Sequence, residues 1–378
     1  MDLKLAAKRE LDRILEKINS NMKLYHDKTP CISTALKYSE NLSEDGDWTG
    51  SFWTGMVTMA ALLTGDKKYQ EYLESYRYFY EKRIATGYKD HDLGFLYQLY
   101  AVDMYRLTNI DCYREMAVKA ARSLMCRYNP RGGFIRAWGT LISSNNKGKI
   151  IMDCLMNLPL LFCASRMGGD SQWAEAAHKH ALITLNNIRP DGSTYHTYDF
   201  DNITGVPLKG ENEGGWQDES CWSRGQSWGI YGFYLAWIHT GDPRLLKASQ
   251  KVADYFINNL DDSYIPEWDF KLIEDAPRGI DTSAAMIAAS GLYDLAKVSL
   301  AEDSKRYTQA ADRMLQAVME NHSRTSDPNS EALIDCCYGG RIIDGKRVVL
   351  QMGAIWGDYY YMEALMKKAG YDISMWDL

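Results

Sequence analysis

Apolar positions fall into two kinds of run along this chain. Some stretches are apolar nearly all round, as in "DCLMNLPLLF" (Asp153 to Phe162) and "GQSWGIYGFYLAWI" (Gly225 to Ile238). Others are amphipathic, with charged residues between apolar ones at helical spacing, as in the opening "MDLKLAAKRELDRILEKI". A helix that is apolar all round must be covered on every side, and an amphipathic helix can supply the cover. "MVTMAALLTGDKKYQEYLESYRYFYEKRI" reads as one helix of each kind joined by a short turn. That turn, "TGDKKY" from Thr64, is echoed by "TNIDCYREMA" from Thr108, "MGGDSQWAEAA" from Met167, "TGDPRLLKAS" from Thr240 and "AEDSKRYTQAA" from Ala301. In each, an apolar helix ends and an Asp is placed to cap the amphipathic helix that follows. The pattern predicts a repeating helical hairpin with irregular spacing.

A ring of about six such hairpins accounts for 378 residues in one domain, residues 1–378, since no Pro-rich or Ser/Gly-rich linker divides the chain. The apolar helices would lie inside and the amphipathic ones outside. A superhelical solenoid is the other arrangement the pattern allows. The strand-like pieces "GFIRAWG" and "STYHTYDF" fall in long connections, which would gather at one mouth.

Composition narrows the chemistry. A net charge of −7 without a block of like charges argues against a nucleic-acid or anionic-membrane partner. No apolar run reaches membrane-spanning length. The eight cysteines form no CxxC pair and no secretory leader is recognisable, so reduced thiols in a cytoplasm are expected. Eleven Trp and 26 Tyr against 9 Phe is a polar-aromatic bias, and an apolar face with a hydrogen-bonding edge suits sugars. Large helical cores also use aromatics.

Polar and aromatic residues cluster at the starts of the apolar helices. "DGDWTGSFWTGM" carries Asp47, Trp48, Phe52 and Trp53; "DHDLGFLYQLY" carries His91 and Asp92. "FIRAWG" and "IIMDCLMNLPLLF" bring Trp138 and Asp153; "GGWQDESCWSRGQSWGIYGF" brings Trp216, Gln217, Trp222, Arg224, Gln226 and Trp228. Helix starts gathered at one mouth of a ring would form a pocket. Asp153 poses the sharpest question. A carboxylate in an apolar run costs several kcal/mol without a partner, or its pKa rises. Either Asp92 or Asp153 taken alone also reads as a helix cap. Metal, nucleotide and serine-nucleophile signatures are missing: there is no HExxH, Walker loop, Rossmann fingerprint or GxSxG. His178 and His180, two apart, do not share a helix face.

Taken together, "DWTGSFWTG", "HDLGFLY", "AWG", "DCLMNLPLL", "STYHT", "WSRGQSWGIYGF" and "IWGDYYYMEAL" resemble the unsaturated glucuronyl hydrolases, glycoside hydrolase family 88, in family order over roughly residues 40 to 365. The resemblance implies an all-α fold, an (α/α)6 barrel. No cofactor and no metal are expected, and the chain is expected to be a monomer or weak homo-oligomer whose partner is its sugar substrate. That substrate would be a lyase-generated oligosaccharide with a Δ4,5-unsaturated uronic acid at its non-reducing end, as in unsaturated chondroitin and hyaluronan disaccharides. Such enzymes hydrate the vinyl ether, and the resulting hemiketal opens to release the uronate.

By the same resemblance Asp153 is the general acid and then base, and Asp92 orients substrate hydroxyls and supports it. Trp48, Trp138, Trp222 and Trp228 would wall the sugar sites. His91, His196, Gln217, Arg224 and Tyr338 would make polar contacts, with Arg224 on the uronate carboxylate. A general acid must hold a proton near neutral pH, so an apolar surround and a second carboxylate are expected to raise Asp153. "DCCYGGRIIDGKR" around Tyr338 lacks the Ser- and Lys-bearing pattern of members that favour sulfated hexosamines, with Lys346 and Arg341 as candidate substitutes. The alternatives are an unsaturated rhamnogalacturonyl hydrolase on pectin fragments and a non-catalytic sugar-binding barrel.

Overall fold

Helices buried on nearly every side alternate along the chain with helices buried on one face. The computed structural model describes residues 2–85, 91–140, 147–343 and 346–377, without the side chains of 341–347. Among the described residues the helices are α1 (Leu3–Tyr25), α2 (Gly50–Thr64), α3 (Lys67–Ser75), α4 (Arg77–Ala85), α5 (Leu93–Tyr97), α6 (Asp103–Thr108), α7 (Asp111–Met125), α8 (Leu158–Arg166), α9 (Gln172–Ile183), α10 (Ser223–Thr240), α11 (Pro243–Asn258), α12 (Thr282–Val298), α13 (Ala301–Asn321) and α14 (Ile355–Ala369). A π-helical turn, Gln98–Val102, joins α5 to α6 into one inner helix.

The inner set is α2, α5–α6, α8, α10, α12 and α14. Each packs on the next, and α14 packs back on α2, so the ring closes. Closure selects the barrel over the solenoid. The outer helices α3, α7, α9, α11, α13 and α1 pack on α2, α5, α8, α10, α12 and α14 in turn. The architecture is an (α/α)6 barrel. No described helix is long and apolar enough to cross a membrane.

The strands are short and antiparallel: β1 (Tyr128–Asn129) with β2 (Phe134–Ile135), β3 (Lys149–Ile151) with β4 (Thr197–Phe200) and β5 (Pro207–Glu211), and β6 (Cys337–Ile343) with β7 (Lys346–Met352). β2 and β4 are the pieces read from the sequence. The β6–β7 hairpin is an addition to that reading.

The hairpin turns follow the capping logic in part. Asp66 accepts from the Lys68 N–H at the start of α3, and Asp242 does the same for Arg244, with Pro243 at the first position of α11. Asp170 accepts from the Gln172 N–H just ahead of α9. Asp111 and Asp303 instead lie inside the first turns of α7 and α13, which begin earlier, after Ile110 and Leu300. There they face the positive end of the helix dipole without a cap bond. The apolar run from Asp153 is also divided. Met152–Asn157 is a 3-10 segment, and α8 starts at Leu158 with Pro159 in its first turn, where a missing N–H costs nothing.

Candidate active site

Neither Asp92 nor Asp153 caps a helix with its side chain. Asp92 occupies the position before α5 and makes no side-chain cap bond. Asp153 lies in the first turn of the 3-10 segment, after Ile151. Both side chains keep a small opening to solvent, 14% for Asp92 and 15% for Asp153. Asn157 joins them: its Nδ2 donates to Asp92 Oδ1 at 3.2 Å and makes a longer contact, 3.5 Å, with the Asp153 carbonyl.

Each carboxylate faces a histidine, and the backbone holds the two imidazoles in opposite tautomers. His196 Nδ1 accepts the Gly214 N–H at 3.0 Å, so its proton sits on Nε2, 3.1 Å from Asp153 Oδ2. His91 Nδ1 lies 2.9 Å from the Ala137 carbonyl and must donate to it. A neutral His91 therefore turns the bare lone pair of Nε2 toward Asp92 Oδ1, 3.4 Å away. These two atoms attract only when the pair holds a proton. Arg127 fixes the same carbonyl, its Nη2 donating to Ala137 and Gly139, each at 2.9 Å. His180 anchors β2 through its Nδ1, which accepts the Ile135 N–H; burial and the nearby His91 push His180 down to about 3, so it stays neutral.

The electrostatics correct one expectation. Burial does push the Asp153 carboxyl up. The facing His196 and, behind it, His91 pull it further down, and the balance lies below the ordinary carboxylate value. The apolar run foretold the burial but not the imidazole opposite. The Asp153 side chain is therefore a carboxylate at neutral pH.

Aromatic contacts carry the mouth around from one carboxylate to the other. Trp138 meets His196 edge-on at 5.9 Å, and His196 meets Trp222 at 4.7 Å. The Arg224 guanidinium lies 4.6 Å from the Trp222 ring and 5.2 Å from Trp356. Trp356 continues to Trp48 at 5.1 Å, and Trp48 to Phe95 in α5 at 5.7 Å. Trp48 and Trp138 are half-buried. Arg224 is held by its Nη1, which donates to Asp281 Oδ2 at 2.7 Å and to the Tyr338 carbonyl at 3.0 Å. Among the described residues no protein acceptor meets its Nε–Nη2 edge.

Three expected residues are placed differently. Trp228 is wholly enclosed between Phe95 and Tyr360, because α10 is covered on all sides there; it belongs to the core behind the mouth. Tyr338 is buried and stacked on Trp268 at 4.5 Å; its carbonyl accepts from Arg224, and its ring lies 6.0 Å from the Arg224 guanidinium. Gln217 is exposed, in a turn closed by Ser220. Gln226 is internal too, donating to the Gly192 and Val252 carbonyls. The side chains of Arg341 and Lys346, the candidate sulfate contacts, lie outside the described residues.

Three further residues, Asp281, Trp356 and Asn157, belong to the site. Asp281 caps α12, accepting from the Ser283 and Ala284 N–H groups while it holds Arg224. Trp356 bridges Arg224 to Trp48, and Asn157 bridges α5 and Asp92. The available signal for Asn157 was a lone amide in an apolar run, one helical turn beyond Asp153.

Comparisons with known proteins agree on one family. The profile described as Glycosyl Hydrolase Family 88 matches residues 20–371. The unsaturated chondroitin disaccharide hydrolase of Streptococcus pyogenes serotype M1 is 34% identical over 364 residues, 94% of this chain and 90% of that protein. The unsaturated glucuronyl hydrolase of Bacillus sp. strain GL1 is 34% identical over 353 residues, 92% of each. The crystal structure of the Bacillus sp. GL1 enzyme superposes with a TM-score of 0.92 at 32% identity, covering 98% of this chain and 99% of that one. A mutant unsaturated glucuronyl hydrolase from Streptococcus agalactiae, complexed with dGlcA-GalNAc6S, superposes at 0.80 with 28% identity, covering 99% and 93%.

Proposed function

The chain belongs to glycosyl hydrolase family 88, and we propose that it releases the Δ4,5-unsaturated uronic acid from the non-reducing end of lyase-generated glycosaminoglycan oligosaccharides, unsaturated chondroitin and hyaluronan disaccharides among them. The observation that carries this reading is the pair Asp92–Asp153, joined through Asn157 at the foot of an aromatic mouth that also holds Arg224.

Arg224 takes the uronate carboxylate on its Nε–Nη2 edge. Trp48, Trp138 and Trp222 cover the sugar faces. Asp92 accepts from sugar hydroxyls. Binding expels water and brings a second negative charge near Asp153, and both changes favour its protonated form. The proton then passes from the Asp153 carboxyl to C4, using the C4–C5 π electrons. Positive charge develops at C5 and on the ring oxygen. Water attacks C5 and gives a proton back to the Asp153 carboxylate. The hemiketal opens, and the neighbouring sugar leaves as an alcohol. One carboxyl serves as acid and then as base, so the two-carboxylate spacing rule of direct glycoside hydrolysis does not govern this site.

The test is loss of the ultraviolet absorbance of the conjugated double bond across a panel of lyase-derived disaccharides. Turnover is expected with unsaturated chondroitin and hyaluronan units and with EDTA present. Equal turnover of saturated analogues would sink the hydration chemistry. Preference for unsaturated rhamnogalacturonan units would move the protein to the pectin branch.

A further inference from the structure

Asp92 holds a capping position but performs no capping, and Asn157 explains why. The first N–H groups of a helix need acceptors from outside it. In α5 the Phe95 N–H is met at 2.9 Å by Asn157 Oδ1, which comes from the 3-10 segment that carries Asp153. That bond fixes the orientation of the amide. Oδ1 is committed to α5, so the NH2 end must turn to Asp92 Oδ1 and the Asp153 carbonyl. Asn157 is fully buried. The backbones are pressed together at the same point: a Cβ on Gly94 would fall 2.1 Å from the Asn157 Cα and 2.4 Å from its carbonyl oxygen. Only glycine permits that approach.

We propose that Asn157 is a positioning residue for the reaction: it caps α5 in place of Asp92, and through the same amide sets the place of the Asp92 carboxylate relative to Asp153. The role rests on the hydration reading above. With Gly94 beneath it, Asn157 joins two segments of the barrel through one amide. Both ends of that amide are specified. A neutral donor toward Asp92 also keeps a third acid out of the site. The titratable groups around this point are His91 facing Asp92, His196 facing Asp153, Cys154 beside both carboxylates, and Arg127 and His180 behind His91.

Asn157→Asp tests the role. The variant keeps an acceptor for the Phe95 N–H but turns a second acceptor toward Asp92. It should fold, with kcat/KM reduced by about 10–100-fold, the cost of displacing a reacting group by about 1 Å. KM should rise. The acid limb of the pH profile should move upward, because two adjacent carboxyls hold a proton to higher pH. Asn157→Ser, which cannot span both partners, should lose activity without moving that limb. Folded Asn157→Asp with parental kcat, KM and acid limb overturns the proposal. Failure of both variants to fold overturns it as well, in favour of a purely structural part. Asp153→Asn, assayed alongside, separates the two levels. If it stays fully active, the hydration reading itself fails. If it is inactive while Asn157→Asp behaves as parent, only the role of Asn157 fails.

Discussion

His196 presents an N–H, not a lone pair, to Asp153: Nε2 lies 3.1 Å from Oδ2 because Nδ1 is already occupied by the Gly214 N–H. This relationship keeps the Asp153 carboxyl below its ordinary value despite burial. His196→Ala removes the facing imidazole and leaves burial as the dominant influence. The Asp153 titration should then move to higher pH. The pH dependence of kcat/KM reads the change, and an unmoved profile would show that His196 does not set the charge of Asp153.

Substrate binding should be accompanied by proton uptake. Asp153 is ionised in the free site and must be protonated to act as an acid. Up to about one proton per site should be taken up near neutral pH as the uronate enters. Calorimetry in buffers of different ionisation enthalpy measures it, using Asp153-intact protein and a saturated, unreactive disaccharide. Binding with no buffer dependence at any pH between 5 and 8 would contradict this sequence of events.

Asp153→Asn should fold normally, since Asp153 caps nothing. It cannot deliver a proton, so kcat should fall by about 10²–10⁴. Unsaturated disaccharide should still bind, because Arg224 and the Trp walls remain. Asp92→Asn should lose activity with weaker binding. Single-turnover assays and ligand titration distinguish the two variants, and an active Asp153→Asn enzyme would remove the central assignment.

Asp281→Ala strikes Arg224 indirectly. Arg224 is buried and Asp281 is its ionic partner at 2.7 Å. Breaking a buried pair from one side costs about 3–5 kcal/mol, and losing the α12 cap adds about 1 kcal/mol. Thermal unfolding should record the loss. KM should rise in the protein that remains folded, because the guanidinium is no longer held between Trp222 and Trp356. Parental KM would mean that the aromatic rings alone hold Arg224.

Asp103 links stability to pH. It is fully buried, neither carboxylate oxygen has a hydrogen-bond partner among the described residues, and Arg106 Nη2 stands 3.6 Å away. Burial outweighs Arg106 and pushes the carboxyl up to about 7. The folded state thus binds a proton that the unfolded chain releases near pH 4. The Asp103 contribution to stability therefore falls as pH rises from about 4 to 7 and levels off above that. Asp103→Asn is neutral throughout. It should flatten this slope and gain up to about 4 kcal/mol above pH 7, three pH units' worth of linkage. Asp358, also pushed up to about 7 by burial, should retain part of the slope. Chemical unfolding at pH 5 and pH 8 checks both statements.

The sequence by itself determined the repeating helical hairpin, whereas closure of the hairpins into a ring was decided by the packing of α14 on α2. A run such as "GQSWGIYGFYLAWI", apolar on every side, is stable only when surrounded, and the amphipathic runs between such helices can only surround it. It also determined caps that act within four residues, as at Asp66 and Asp242, and it placed Asp92 and Asp153 at starts of inner segments. Tertiary structure decided what those carboxylates meet. Asn157 reaching α5, Gly214 setting the His196 tautomer, Ala137 setting that of His91 and Asp281 holding Arg224 all join positions far apart in the chain. The same holds for the enclosure of Trp228 and Tyr338. Hydrophobic periodicity reports how far a residue lies from water, because burial is non-directional and adds up along a helix face. A hydrogen bond depends on direction within a few tenths of an ångström. Only the packed barrel supplies that direction, so burial was readable from the chain, whereas the charge on Asp153 required the fold.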